Sequence, residues 1–328
     1  MPNDVTERES PSTYMSDRAI RTVALAIDLG GTKVEAALVA ADGTIKAGSR
    51  HRTPTGPTAS RSQLDEAIIH VTRGALEAVG ADELLGCGIG SAGPLRREDD
   101  SIWPINLPAL HGLRITELIS PAMAGRPIML RLDGTCIALA EHWLGGTRGA
   151  SNAMSMVVST GVGGGIILDG RPLRGDTGNA GHIGQIQVHT HRPGRSNAAA
   201  SLEGIASGPR SVRWARKRGW HGCTGEDLAR DYAVGDPVAV AAIRRSATAV
   251  GEAIASVATL LDLHRVTIGG GFSRSATDYV DIVQTAAVGA SVVGYARDVV
   301  VTPSALGADG PLIGAAALVH RSDVLVPA

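Results

Sequence analysis

At 328 residues, with 44% hydrophobic and 19% charged side chains, the chain has a globular composition and enough apolar surface for one large or two medium domains. A net charge of -1 gives no electrostatic footprint for nucleic acid or an anionic membrane surface, and no uninterrupted run of about 18 apolar residues offers a membrane span. Three widely spaced cysteines, Cys87, Cys136 and Cys223, form no C-x-x-C pair and read as reduced thiols, so a soluble cytoplasmic protein is expected.

Residues 1–20 are polar, lack the apolar core of a signal peptide and read as a disordered tail. From Thr22 the pattern becomes regular. TVALAIDLGG predicts a buried strand running into a glycine turn, KVEAALVAADG the second arm of a hairpin, and TIKAGSRHRT a third strand. Leu64, Ile68, Val71, Ala75 and Val79 keep helical spacing. LLGCGIGSAG and PIMLRLDG predict two more strands, the latter followed by a helix with Ile137, Ala140, Trp143 and Leu144 on one face.

A second round begins near Ser155. MSMVVSTGVGGG predicts a strand into a glycine loop, with GIILDGRPL as its hairpin partner. Val250, Ile254, Val257 and Leu261 share one face of a long helix, VTIGGG is a short strand, and PLIGAAALVHR is a helix apolar enough to pack back on the first round. The expected architecture is α/β, with two domains facing a cleft: residues 21–133, joined by the returning helix 310–322, and residues 134–309.

The glycine turns carry the first chemical signal. Asp28, Gly30, Gly31, Thr32 and Lys33 lie at the tip of the first hairpin, where glycines let backbone N–H groups approach an anion and Asp28 is placed to hold Mg²⁺ through water. Thr160, Gly161 and Gly163 repeat the arrangement, and Gly269, Gly270 and Gly271 close a third strand. Each turn taken alone is more often an ordinary tight turn. Three at strand ends, two of them opening matching halves, favour a nucleotide held between domains. Neither the P-loop pattern nor the dinucleotide-binding pattern is present in its required setting.

Taken in order, AIDLGGTKVEAALVAADG, GIGSAGPL, STGVGGGIILDG, VTIGGGF and LGADGPLIGAAALV resemble the ROK family of repressors and sugar kinases, of the actin-like ATPase (ribonuclease H-like) fold. The resemblance spans about residues 22–320. It implies Mg-ATP as phosphoryl donor, with the first two glycine loops on the phosphates and Gly269 to Gly271 bordering the adenosine. It also implies a small-molecule sugar as acceptor and, as among relatives, a possible homodimer.

Asp133 stands where IMLRLDG meets the following helix, a position that suits either a helix N-cap or a general base for an attacking hydroxyl. The resemblance implies the base, since family kinases carry N-D-A-N-A-A-x-x-E here; the chain keeps Asp133 and Glu141 but has Leu132 in place of the sugar-binding Asn. The family's G-E-x-G-H run becomes Gly181-His182-Ile183-Gly184-Gln185, so His182 and Gln185 replace a sugar-contacting Glu and His. Gly194, Ser196 and Ser201 fall on the three zinc-binding cysteines, so no structural zinc is expected; His189 and His191 read as loop residues. Glu203 matches a retained sugar contact, and Asn106 is the remaining candidate.

With Leu132, His182 and Gln185 altered, glucose is a doubtful main substrate. The expectation is a modified hexose, best an amino sugar such as kanosamine from antibiotic biosynthesis, whose ammonium Glu203 would pair. A C7-cyclitol or plain glucose is the alternative. A repressor is set aside because only some twenty polar residues precede the first loop. Retention of Asp133 argues against a non-catalytic sugar sensor, and a polyphosphate donor is the lesser enzymatic alternative.

Overall fold

The computed structural model describes residues 22–188 and 197–325. The expectations for the 1–20 tail and for His189, His191, Gly194 and Ser196 lie outside the described residues. In the first half, β1 (Thr22–Leu29) and β2 (Lys33–Ala40) form the predicted hairpin. They are followed by β3 (His51–Pro54), α1 (Arg61–Glu77), β4 (Glu83–Ser91), a two-stranded ribbon of β5 (Leu95–Arg96) and β6 (Ser101–Ile102), α2 (Ile115–Met123), β7 (Ile128–Leu132) and α3 (Asp133–Leu144). The sheet order is β3-β2-β1-β4-β7, with β4 and β7 parallel to β1.

The second half repeats that plan: β8 (Ala153–Val158) and β9 (Val162–Leu168) form a hairpin, β10 (Arg171–Pro172) extends it, and β11 (Arg265–Gly269) and β12 (Val300–Pro303) add in parallel, giving β10-β9-β8-β11-β12. Between β10 and β11 run the short helices α4 (Asn197–Ala200) and α5 (Leu202–Ala206), then α6 (Gly208–Arg216), α7 (Gly225–Ala233) and the long α8 (Pro237–Leu261). After β11 come α9 (Tyr279–Ala290) and α10 (Gly294–Arg297), and α11 (Gly310–His320) follows β12.

Each sheet has its own core. Leu64, Ile68, Val71 and Ala75 of α1 bury against β1, β2 and β4, under a capping box in which Ser60 Oγ accepts from Gln63 N and Gln63 Oε1 accepts from Ser60 N. Val250 and Ile254 of α8 are buried in the second core, with Val257 and Leu261 packed against it. As the apolar closing helix predicts, α11 returns to the first sheet, sharing a third core with α3, β1 and β2.

Two expectations change in detail. The third strand is confined to His51–Pro54, because Lys46 N donates to Leu38 O and Leu38 N donates to Ser49 Oγ, so a turn with Gly48 at φ 76° satisfies the upstream edge of β2. The buried face of α3 is Cys136, Leu139 and Ala140, not Ile137, Trp143 and Leu144, which are partly exposed. The cause is that α3 is held on two sides, by α11 and by β9, so its apolar surface is wider than one stripe. Among the described residues no helix is long and apolar enough to cross a membrane.

Candidate active site

The C-terminal ends of the parallel strands bring the candidate residues together. Registration of Leu29 with Ser91, and of Ser91 with Leu132, places Asp28 and Asp133 at one edge of the first sheet. Asp133 is the first residue of α3, not its N-cap: Leu132 occupies the cap position, and Asp133 Oδ1 accepts from the adjacent Gly134 N at 2.7 Å. Enclosure by protein raises the Asp133 carboxyl above its ordinary range, while the Gly134 hydrogen bond and His182 pull it down and Glu203 pushes it up. His182 and Glu203 therefore both lie within electrostatic reach of Asp133. Burial, followed by repulsion from Asp133, lifts Asp28 to about 7.

Glycines bring α3 onto the second sheet. A Cβ on Gly134 would stand 2.1 Å from Gly164 O, so the start of the helix lies flat on β9. The same strand receives the histidine loop: at Gly181 (φ 99°) a Cβ would meet Gly164 O at 2.9 Å, and at Gly184 Val162 O at 1.9 Å. Between these two anchors His182 projects to the opposite half, where a Cβ on Gly93 would lie 3.1 Å from its Nε2 and 2.4 Å from Leu132 Cδ2. Two of the three altered positions are thus neighbours at one spot. His182 Nδ1 and Asn179 O are 2.8 Å apart; donation by Nδ1–H to this carbonyl leaves Nε2 as the acceptor. The Asn179 side chain also crosses the cleft, accepting from Leu95 N at 2.7 Å and donating to Leu95 O at 2.8 Å.

The other candidates divide. Gly30 N donates to Lys33 O at 2.9 Å, closing the first turn, and Thr55 Oγ1 braces it through Gly30 O. Thr32 is exposed there, and a Cβ on Gly31 would meet Asn106 Cβ at 3.2 Å, so Asn106 sits over the glycine loop. The Lys33 ammonium is paired with Glu35, which also takes Arg50 and Arg52; burial pushes the Glu35 carboxyl up, but these donors overcome it and hold it at about 2. Thr160 and Gly161 form the second turn, whereas Gly163 belongs to β9. Glu203 Oε2 accepts from Val162 N at 3.0 Å, so the carboxylate braces that turn, and its other oxygen has no partner among the described residues. Gln185 is exposed at the end of a single 3-10 turn. Ser201, on one of the cysteine slots, caps α5 by accepting from Gly204 N at 3.1 Å. Among the described residues no three of His, Cys, Asp and Glu group into a metal site.

Beside the second turn opens a cavity of about 820 Å³, lined among others by Thr160, Gly208, Arg213, Thr224, Gly271 and Phe272. Its volume suits a nucleotide-sized ligand. The sequence reading located two of its edges, Thr160 and Gly271, but not the wall formed by α6 and the start of α7. The available signal was Gly208-Pro209 opening a helix with Arg213 and Arg216 one turn apart, a pattern common on solvated helices as well.

A sequence profile described as "ROK family" matches residues 24–322. The chain is 28% identical over 322 residues to a glucokinase of Streptomyces coelicolor, covering 92% of this chain and 99% of that one. It is 33% identical over 251 residues to an N-acetylmannosamine kinase of Yersinia pseudotuberculosis, covering 75% and 82%. A ROK family glucokinase from Streptomyces griseus, solved in complex with glucose and AMPPNP, superposes with a TM-score of 0.77 at 27% identity, over 91% of this chain and 99% of that chain. The fold is that of the actin-like ATPases.

Proposed function

The chain belongs to the ROK family, and from that premise we propose that it is an ATP-dependent sugar kinase acting on the primary hydroxyl of a modified hexose. The observation that carries the reading is Asp133. Its carboxyl stands at a strand end, accepting from Gly134 N, with His182 and Glu203 nearby. A hydroxyl beside it loses its proton to the carboxylate as its oxygen attacks the γ-phosphorus of ATP; the bond to the β,γ-bridging oxygen breaks and ADP leaves. The turns Gly30–Thr32 and Thr160–Gly161 offer backbone amides to the phosphates, and the large cavity takes the adenosine. Asp28, a single carboxylate beside the first turn, fits the Mg²⁺ that arrives with ATP, an ion that keeps most of its waters and needs few protein oxygens. Bound there, the ion would neutralise phosphate charge, with Asp28 the residue that would hold it; Glu203 holds the second turn in shape. We assign residues 21–133 with 310–322 to one domain and 134–309 to the other, with the sugar between them.

The substrate class follows from Leu132 and His182. Where family kinases place an amide and a carboxylate, this site has an apolar side chain against an imidazole at Gly93. Hydroxyls that relied on those partners are left unpaired, which disfavours glucose. The free oxygen of Glu203 suits an ammonium, so an amino sugar such as kanosamine is favoured over a C7-cyclitol. Glucose and N-acetylmannosamine, which the similar proteins' names carry, are the comparison substrates. The test is ADP release with wild type and Asp133→Asn: turnover should fall about 10²–10⁴-fold in the variant, and unchanged turnover would remove Asp133 from the chemistry.

A further inference from the structure

The seam between the two halves carries a second cavity, walled by a different set of residues from the site above. It measures about 80 Å³ and is lined by Arg96, Arg97 and Asp100 of the β5–β6 ribbon, Arg131 of the edge strand β7, and Arg174 just after β10. Four arginines thus line the cavity beside one aspartate. Arg96 stacks on Trp103, 4.2 Å from the ring centre. Among the described residues Arg97, Arg131 and Arg174 make no ion pair. Their only hydrogen bonds there go to backbone carbonyls, from Arg131 to Leu130 O at 2.7 Å and from Arg97 to Asp176 O at 3.4 Å. Arg50, by contrast, pairs with both Glu35 and Asp309.

Burial, together with Arg174 and Arg97, makes the charged form of Arg131 less favourable, and Asp100 only partly offsets this. A partly desolvated guanidinium beside two like charges is costly unless an anion balances it. The cavity holds roughly two to three waters' worth of volume, too little for a sugar ring and enough for a single oxyanion. Planar guanidinium forks match the oxygens of such a group in pairs.

We propose that this cavity binds a phosphate group, clamped by Arg97 and Arg131 of the first half and Arg174 of the second. Because the anion bridges both halves, it favours the arrangement in which Asn179 holds Leu95 and His182 rests at Gly93. The phosphate is either free or carried on a phosphorylated sugar. In the second case the site senses the reaction's product, an extension that rests on the kinase reading, whereas phosphate binding itself does not.

Isothermal titration of inorganic phosphate into the full chain tests the site directly. Wild type should bind one equivalent. Arg174→Ala, at an exposed position, should weaken binding at least tenfold, and so should Arg131→Gln, with folding of each checked by circular dichroism. Arg213→Ala, in the large cavity, should leave it unchanged. Absence of binding at millimolar phosphate, or binding insensitive to Arg174→Ala and Arg131→Gln, overturns the proposal. Under either supporting result, a hexose 6-phosphate that competes more tightly than phosphate identifies the sugar ester as occupant, and one that does not identifies the free ion. Sugar-dependent ADP release, measured separately, decides the kinase reading.

Discussion

Two carboxyls set the behaviour of the site. Asp28, free at 3.8, is held at about 7 in the fold, chiefly by burial and then by Asp133. The folded state therefore prefers it protonated: the penalty is absent below about pH 4 and grows as pH rises toward neutrality. Asp28→Asn should accordingly stabilise the nucleotide-free protein near pH 8 by an amount on the order of a few kcal/mol, read by denaturant unfolding, while lowering turnover; equal stability at pH 8 would count against the buried charge. Asp133 is also raised, and as the proposed base it must be ionised to accept a proton. The acid limb of kcat/KM should lie above the ordinary carboxylate value of about 4, moving activity upward as pH rises. At the neighbouring spot, the double change Leu132→Asn with His182→Glu should improve glucose relative to the native substrate by about 10²-fold, measured as a kcat/KM ratio.

At the scale of elements, α3 is the part everything else leans on. Its first turn carries Asp133 and touches β9; its last turn carries Glu141, buried at 1% exposure. Glu141 accepts from Gly146 N at 2.7 Å and Ser304 Oγ at 2.5 Å, with Leu306 N at 3.4 Å. One carboxylate thus ties the loop leaving α3 to the segment leading into α11. Glu141→Ala leaves these donors buried without a partner and should cost on the order of 3 kcal/mol in urea unfolding. Gly134→Ala forces a methyl against the β9 backbone, where no side chain can yield; kcat should fall sharply with Asp133 displaced, and wild-type turnover would contradict the close approach. None of this packing was legible in the sequence. Glycine spacing marked turns, but the same residue serves phosphate loops and backbone contacts, and only the structure separates Gly161, at a turn, from Gly134 and Gly164, at a contact.

At the scale of the whole molecule, the doubled sheet plan was legible because each half opens with a largely apolar strand running into a glycine turn, and because α11 is too apolar to stay in water. The large cavity was only half legible: strand-end glycines announce themselves, whereas a wall of helices with ordinary surface residues does not. Gln185, placed in the site by the resemblance to the family motif, is exposed, at the end of a 3-10 turn that follows His182. The Asn179–Leu95 pair of hydrogen bonds joins the two halves. Asn179→Ala should raise the sugar KM by about tenfold with a smaller effect on that for ATP; parallel increases in both would contradict a latch on the sugar side. The identity of the acceptor decides between these readings of the site. An ADP-release assay across glucose, glucosamine, N-acetylmannosamine, kanosamine and a C7-cyclitol should give ATP-dependent turnover with kanosamine highest in kcat/KM. Glucose leading by a wide margin, or no sugar-dependent ADP release at all, would contradict it.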